Sequence, residues 1–205
     1  MRGAVFLLRH RWCGRVAATW IVASGGGRLG GSSATVLVSL DQTLAARVGV
    51  MTDADARIAT APEDFRTAAD MLVDFNAEYD ESAPEPDFWA RHIAVLCAEG
   101  VARVYLIGRP ALGFAVLRLR TSTYEQALEG YLAEMYVMPD HRGRGLGTVL
   151  LQAVIDDARA AGATYLDLTT TQADKSAIAL YERFGFDCHE GKGSGPLSLY
   201  YELDL

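Results

Sequence analysis

Apolar residues along this chain fall into two rhythms, one helical and one strand-like. Ala68, Leu72 and Phe75 share one face of a predicted helix over Phe65–Glu78, which follows a short strand within ARIATAPEDF and is started by a proline. The segment Ser82–Pro86 (SAPEP) breaks that pattern before a second helix over Phe88–Gly100. Strands are predicted at Arg103–Ile107 and Gly113–Leu119, with a turn at Gly108–Pro110 between them, and another strand ends at Val137. Leu146, Leu150, Val154 and Ala158 then recur at helical spacing, and Gly162 sits where a C-cap belongs. A strand at Tyr165–Thr170, a short helix and a final strand at Leu199–Leu203 complete the reading. The order predicts an α+β domain, with no internal repeat and no coiled coil.

The junction Tyr136–Gly147, YVMPDHRGRGLG, carries the chemistry. Tyr136 and Val137 suit a strand, and Pro139 cannot continue a central ladder. Arg142, Gly145 and Gly147 form R-x-x-G-x-G at the entrance to the long helix. Glycines there let backbone N–H groups approach a ligand, and the positive end of the helix dipole favours an anion by ~0.3–1 kcal/mol. The loop is therefore expected to hold a phosphate. It is not the dinucleotide pattern G-x-G-x-x-G, because Gly143, Gly145 and Gly147 are one residue too closely spaced. Nor is it a nucleotide-triphosphate loop: Gly191-Lys192 lacks the earlier glycine, since position 186 is Phe.

About thirty residues on, Asp174–Phe186 reads DKSAIALYERFGF. Together with R-x-x-G-x-G in the same order, this segment resembles the GNAT family of N-acetyltransferases, whose second motif is N-x-x-A-x-x-L-Y-x-x-x-G-F. Ala177, Leu180, Tyr181, Gly185 and Phe186 stand in register. The resemblance implies a three-layer fold: a mixed, mostly antiparallel sheet flanked by helices, its central strands splayed around the cofactor's pantetheine arm. It further implies acetyl-CoA as cosubstrate, with the backbone of Met135, Tyr136 and Val137 meeting the pantetheine amides. The pyrophosphate falls to Arg142, Gly143, Arg144, Gly145, Leu146, Gly147 and Thr148. Arg142 then adds charge or packs the loop, and Arg144 is either a direct contact or a solvated cation.

The same resemblance puts Tyr181 at the general acid for the leaving thiolate, the alternative being a tyrosine that only packs. Glu134, three residues before Val137, falls where a carboxylate acts as base through water; the alternative is a strand-edge glutamate. A base is needed because an alkylamine of pKa near ~10.4 is almost wholly protonated at neutral pH. Asp167 is a weaker candidate. Asp174 replaces the family's usual asparagine. It can cap a helix, but it cannot donate an amide hydrogen bond to the cofactor.

Composition narrows the picture further. The chain has 205 residues, 50% of them hydrophobic, enough for one core. No apolar run approaches the roughly 18–20 residues of a membrane span. Cys13, Cys97 and Cys188 are odd in number and scattered, read as reduced thiols with no metal-ligand spacing, in keeping with a cytoplasmic protein. His141 reads as a solvated turn residue. The formal charge is −7, which argues against nonspecific nucleic-acid binding.

The charge is unevenly spread. Residues 1–50 hold six of the nineteen basic residues, all arginine, and one of the twenty-six acidic ones, Asp41. This segment has no clear secretory cleavage site, while its arginine-rich composition suits a transit peptide. We expect it to be a dispensable extension, or Met51 to be the true start, with residues 51–205 forming the N-acetyltransferase domain.

Glu78, Asp80, Glu81, Glu85 and Asp87 cluster at the link between the first two helices. They would attract a cationic amine, whether a small molecule or a peptide or protein amine, although such runs are commonly solvated loops. The expected function is acetyl transfer from acetyl-CoA to a primary amine, without metal, and a homodimer is compatible with the fold. The rival is a noncatalytic acyl-CoA-binding sensor or partner module.

Overall fold

Tyr105 and Ile107 point to one face of a central sheet, while Val104 and Leu106 point to the other, and all four are buried. That alternation places a core on each side. The computed structural model describes residues 55–191, 193, 195–201 and 203. The arginine-rich segment 1–50, with Cys13, and Met51 lie outside the described residues.

The elements run β1 (Ala56–Ile58), α1 (Pro62–Ala77), α2 (Pro86–Ala98), β2 (Ala102–Ile107), β3 (Gly113–Thr121), β4 (Leu128–Val137), α3 (Leu146–Ala160), β5 (Ala163–Leu168) and α4 (Lys175–Arg183). The five strands lie in chain order across one sheet. β1 to β4 pair antiparallel, and β4 pairs with β5 in parallel. The expected mixed, mostly antiparallel α+β architecture is therefore present.

Local sequence explains the helices. Pro62 occupies the first turn of α1, where a missing N–H costs nothing. Asp64 accepts from the N–H groups of Thr60 and Ala61 at 3.1 and 3.3 Å and pairs with Arg57 at 2.7 Å. The Arg57 hydrogen bond leads in holding the Asp64 carboxyl below its usual range. Phe65, Ala68, Met71 and Leu72 then bury one stripe of α1. α3 buries Leu146, Leu150, Leu151, Val154, Ile155 and Ala158 against the opposite face, joined there by Leu180 and Tyr181 of α4. At its far end α3 is tied to β2, since Asp157 accepts from the Tyr105 hydroxyl and pairs with Arg103 at 2.6 Å.

One expected element does not appear among the described residues. Leu199–Leu203 was read as a last strand, but its described residues lie outside any strand, with Leu199, Tyr200, Tyr201 and Leu203 exposed. The chain after α4 turns back on itself instead. Glu190 N–H donates to Pro196 carbonyl at 3.0 Å and Ser198 N–H to Cys188 carbonyl at 2.8 Å, around a bridge between His189 and Leu197. The glycine-rich tip folds this segment locally, and its apolar pattern alone supplied no ladder partner.

Candidate active site

The site begins with an interruption in a strand. In the β3–β4 ladder Val116 pairs with Glu134 but Leu117 pairs with Leu132, so Ala133 is an extra residue, a β-bulge. Directly paired residues of an antiparallel ladder share a face. Glu134 thus joins the α1/α2 side with Val116, while Leu132 belongs to the α3/α4 side with Leu117.

A second interruption follows at once. The β4–β5 pairing ends at Leu132 and Leu168, although β4 continues to Val137. Beyond Leu132 the β5-facing edge of β4 has no strand partner among the described residues. β5 itself stops at Leu168 while β4 runs on, which leaves an open gap beside the end of β4, the fork, with the backbone of Met135, Tyr136 and Val137 along one side. A main-chain edge left open in this way must find another hydrogen-bonding partner.

Below the fork, β4 ends in a single 3₁₀ turn, Pro139–His141, and the loop Arg142–Gly145 leads into α3. Gly143 and Gly145 have φ of 73° and 85°, the left-handed conformation that glycine adopts without cost. A Cβ on either would meet nothing within 4 Å, so the space beside the loop is open. Gly145 is the N-cap of α3, and no side chain caps the helix. The first main-chain bond into the helix is Val149 N–H to Gly145 carbonyl at 3.1 Å. Leu146, Gly147 and Thr148 therefore carry the free N–H groups of a helix start, a site suited to an anion. The donor set fits a pyrophosphate group held by main chain.

The two arginines of the loop differ. Arg142 turns toward the protein: Nε donates to Val137 carbonyl at 2.8 Å, and Nη2 donates to both Glu78 carboxylate oxygens at 2.9 and 2.8 Å. Its guanidinium also lies 5.5 Å from the centre of the Tyr136 ring. These contacts hold the loop against the end of β4 and the turn after α1. Arg144 is exposed and makes no hydrogen bond or ion pair among the described residues.

Two titratable side chains belong to opposite faces of the sheet here: Glu134 to the α1/α2 side with Val116, and Tyr181 to the cluster on the α3/α4 side against which Met135 and Val137 pack. Glu134 is pushed up to about 7, chiefly by burial and then by the charge of Glu81. Tyr181, on α4, is 9% exposed and stacks edge-on against Phe186 at 5.9 Å. Burial leads in pushing its hydroxyl up to about 12, followed by the charges of Asp174 and Tyr79. Both secondary influences from the α1/α2 side, Glu81 and Tyr79, come from the turn after α1. The acidic run in that turn suggests attraction of a cationic amine, but nothing in the residue pattern joins the turn to the loop or to Tyr181.

The turn is held in a definite shape. Asp80 takes φ of 57°, uncommon outside glycine, while Glu81 N–H donates to Asn76 carbonyl at 3.0 Å and the Asn76 side chain donates to Ser82 carbonyl at 3.1 Å. Of the five acids in the run, Glu78 is spent on Arg142 and Asp87 on Arg66. Asp80, Glu81 and Glu85 have no ion pair among the described residues.

Other candidates lie apart from this grouping. Asp167 pairs with Tyr131 in the closed part of the β4–β5 ladder and binds Arg120 at 3.2 Å. Asp174 is occupied as the α4 cap, accepting from Ala177 N–H at 2.9 Å and from the Ser176 hydroxyl at 2.8 Å. His141 ends the 3₁₀ turn. Cys97 is half-buried and its thiol is pushed up by burial. Cys188 is exposed, 3.8 Å from His189 Nδ1, which itself lies 2.9 Å from Asp187. These three donors fall within 4.8 Å of one another, a grouping that the scattered cysteines had not suggested. Among the described residues no helix is long and apolar enough to cross a membrane.

The pattern that describes the Acetyltransferase (GNAT) family matches residues 66–186, more than half of the chain. The chain belongs to the GNAT acetyltransferase family. A crystal structure of a provisionally named acetyltransferase from Arthrobacter sp. FB24 is similar, at 36% identity and TM-score 0.66, over 73% of this GNAT chain and 95% of that one. The streptothricin acetyltransferase of Streptomyces lavendulae is 39% identical over 74 residues, 36% of this chain and 37% of that protein. The [ribosomal protein bS18]-alanine N-acetyltransferase of Salmonella typhimurium is 41% identical over 59 residues, 29% of this chain and 40% of that one. The GNAT chain thus spans well under two thirds of the length of either curated relative. One of those relatives is named for a small molecule and the other for a protein.

Proposed function

We propose that the chain transfers an acetyl group from acetyl-CoA to a primary amine. The observation that supports this reading is the open edge of β4 past the end of β5, with Glu134 and Tyr181 on opposite faces of the sheet and an uncapped start of α3. In this reading the open edge of Met135–Val137 takes the pantetheine amides, and the amides of Leu146, Gly147 and Thr148 take the pyrophosphate. Acetyl-CoA supplies a thioester whose carbonyl carbon is open to attack by a neutral amine. Holding the two reactants in one geometry removes several kcal/mol of the barrier, on the order of 7–11 at most.

The chemistry then falls to two side chains. As the new C–N bond forms and the C–S bond breaks, the amine nitrogen loses a proton and the sulfur leaves as a thiolate, which is protonated afterwards by solvent. Glu134, poised near neutrality, accepts the amine's proton through a water. Tyr181 faces the sulfur. With its pKa raised to about 12, full proton transfer to a thiolate near ~8.5 runs uphill by about 5 kcal/mol. Its contribution is a hydrogen bond that strengthens as negative charge develops on sulfur. The unpaired Asp80, Glu81 and Glu85 support an acceptor that carries positive charge.

Thermal unfolding with and without acetyl-CoA, with ATP and NADH as controls, tests the cofactor. Acetyl-CoA at ~100 times its dissociation constant stabilises the fold by about 2.7 kcal/mol, and the controls do not. No shift at saturation would overturn the assignment of the loop. Thiol release on adding amines then separates an enzyme from a noncatalytic acyl-CoA sensor.

A further inference from the structure

The first arginine of the loop motif spends its hydrogen bonds on the protein, and its main partner lies sixty-four positions away in sequence. Glu78, the C-cap residue of α1, receives both contacts from Arg142 Nη2. The same carboxylate interacts with the Tyr136 hydroxyl, helping to raise that phenol, after burial, to about 12. Arg142 in turn reaches the carbonyl of Val137, the last residue of the open β4 edge. Tyr136 is buried between α1 and the sheet, its ring 5.5 Å from Phe75, and Phe75 meets Tyr79 edge-on at 5.5 Å. A continuous chain of contacts therefore runs from the loop to the turn that carries Tyr79 and Glu81.

We propose that Glu78 is a positioning residue that latches the turn after α1 to the anion-binding loop through Arg142, so that acetyl-CoA on the loop also orders the acceptor side of the fork. This rests on the acetyl-CoA reading above. Exposed single ion pairs contribute little, but here one guanidinium is shared by a carboxylate, a backbone carbonyl and an aromatic ring, which fixes its direction. Moving Arg142 would move both the end of β4 and the start of the loop.

The test compares full-length wild type, Glu78→Gln and Arg142→Gln, and the double variant, using acetyl-CoA as probe. Calorimetry gives affinity, and hydrogen exchange follows the peptides that cover residues 76–85 and 142–150. Wild type should bind and show ligand-dependent protection in both peptides. In Glu78→Gln the affinity should fall about 3- to 10-fold, and protection should persist only in the loop. The two single substitutions should not add, because each breaks the same contact. A merely structural role would lower the melting temperature without uncoupling the two peptides. If wild type binds and Glu78→Gln matches it in affinity and in both protections, the latch is overturned alone. If wild type does not bind, the acetyl-CoA reading fails and the latch with it. Should Glu78→Gln not fold, Arg142→Lys addresses the contact from the other side: its charge remains, but the shared geometry is lost, and uncoupled protection is again expected.

Discussion

Gly113 lies so close to Tyr136 that a Cβ added to it would stand 2.5 Å from the Tyr136 carbonyl oxygen. Gly113 opens β3 and pairs with Val137, so this contact sets how near the end of β4 can come to its neighbour. Gly113→Ala should therefore push β4 aside at the fork. We expect a loss of about 1–3 kcal/mol, read as a lower denaturant midpoint, together with weaker acetyl-CoA binding. An unchanged midpoint would mean that the two strands are free to separate.

Glu134 should set the acidic limb of the pH–rate profile. Its pKa stands near 7 against a usual value of 4.5, so the rate should climb with pH through about 7. Glu134→Gln should remove that limb and slow turnover by ~10²–10⁴-fold. The sign for stability is opposite. The protonated carboxyl favours the folded state below about pH 4.5, and that contribution is lost as pH rises through about 7. Glu134→Gln should therefore flatten the fall in urea midpoint between pH 5 and 8.

Tyr181→Phe should leave the fold and acetyl-CoA affinity intact, because the ring still packs against Phe186. Turnover should fall by about 10²-fold or more if the hydroxyl hydrogen-bonds the departing sulfur. The raised pKa adds a second expectation: wild type should show no alkaline decline from this residue below about pH 10. Equal turnover in the two proteins would leave the tyrosine with packing alone.

Arg144 offers a contrast with its neighbour. It has no protein partner among the described residues, so Arg144→Ala should not alter the melting temperature. Acetyl-CoA affinity should drop about 3- to 10-fold at low salt, and the gap should narrow as ionic strength rises, since an exposed charge is screened. A salt-independent loss would point to altered loop shape.

The loop was legible in the sequence because it rests on local rules, whereas Tyr181 entered through the family resemblance. Two left-handed glycines, a proline exit and a helical repeat all sit within a few residues of one another. The limits of α1 were less clear, since Pro62 starts the helix three residues before the apolar face begins. The fork was not legible from periodicity at all; it entered as an expectation through family resemblance. An unpaired edge is the absence of a partner, and Ala133, the residue that shifts the register, has nothing unusual in its side chain. Nor was the Glu78–Arg142 contact legible, since it joins residues that only the closed sheet brings together. Leu199–Leu203 shows the converse. Its apolar and aromatic residues suited a strand, but without a neighbouring edge they do not make one.

The fork also bears on how this protein can change over generations. On the proposed function, recognition through peptide groups is indifferent to which side chains stand along the edge, so Met135 and Val137 answer to the packing of the core and not to the ligand. Specificity for the acceptor, if it rests as proposed on side chains of the turn after α1, has no such protection. One half of the reaction is thereby buffered against mutation, while the other lies open to it, an asymmetry suited to a lineage that keeps one donor and tries many acceptors.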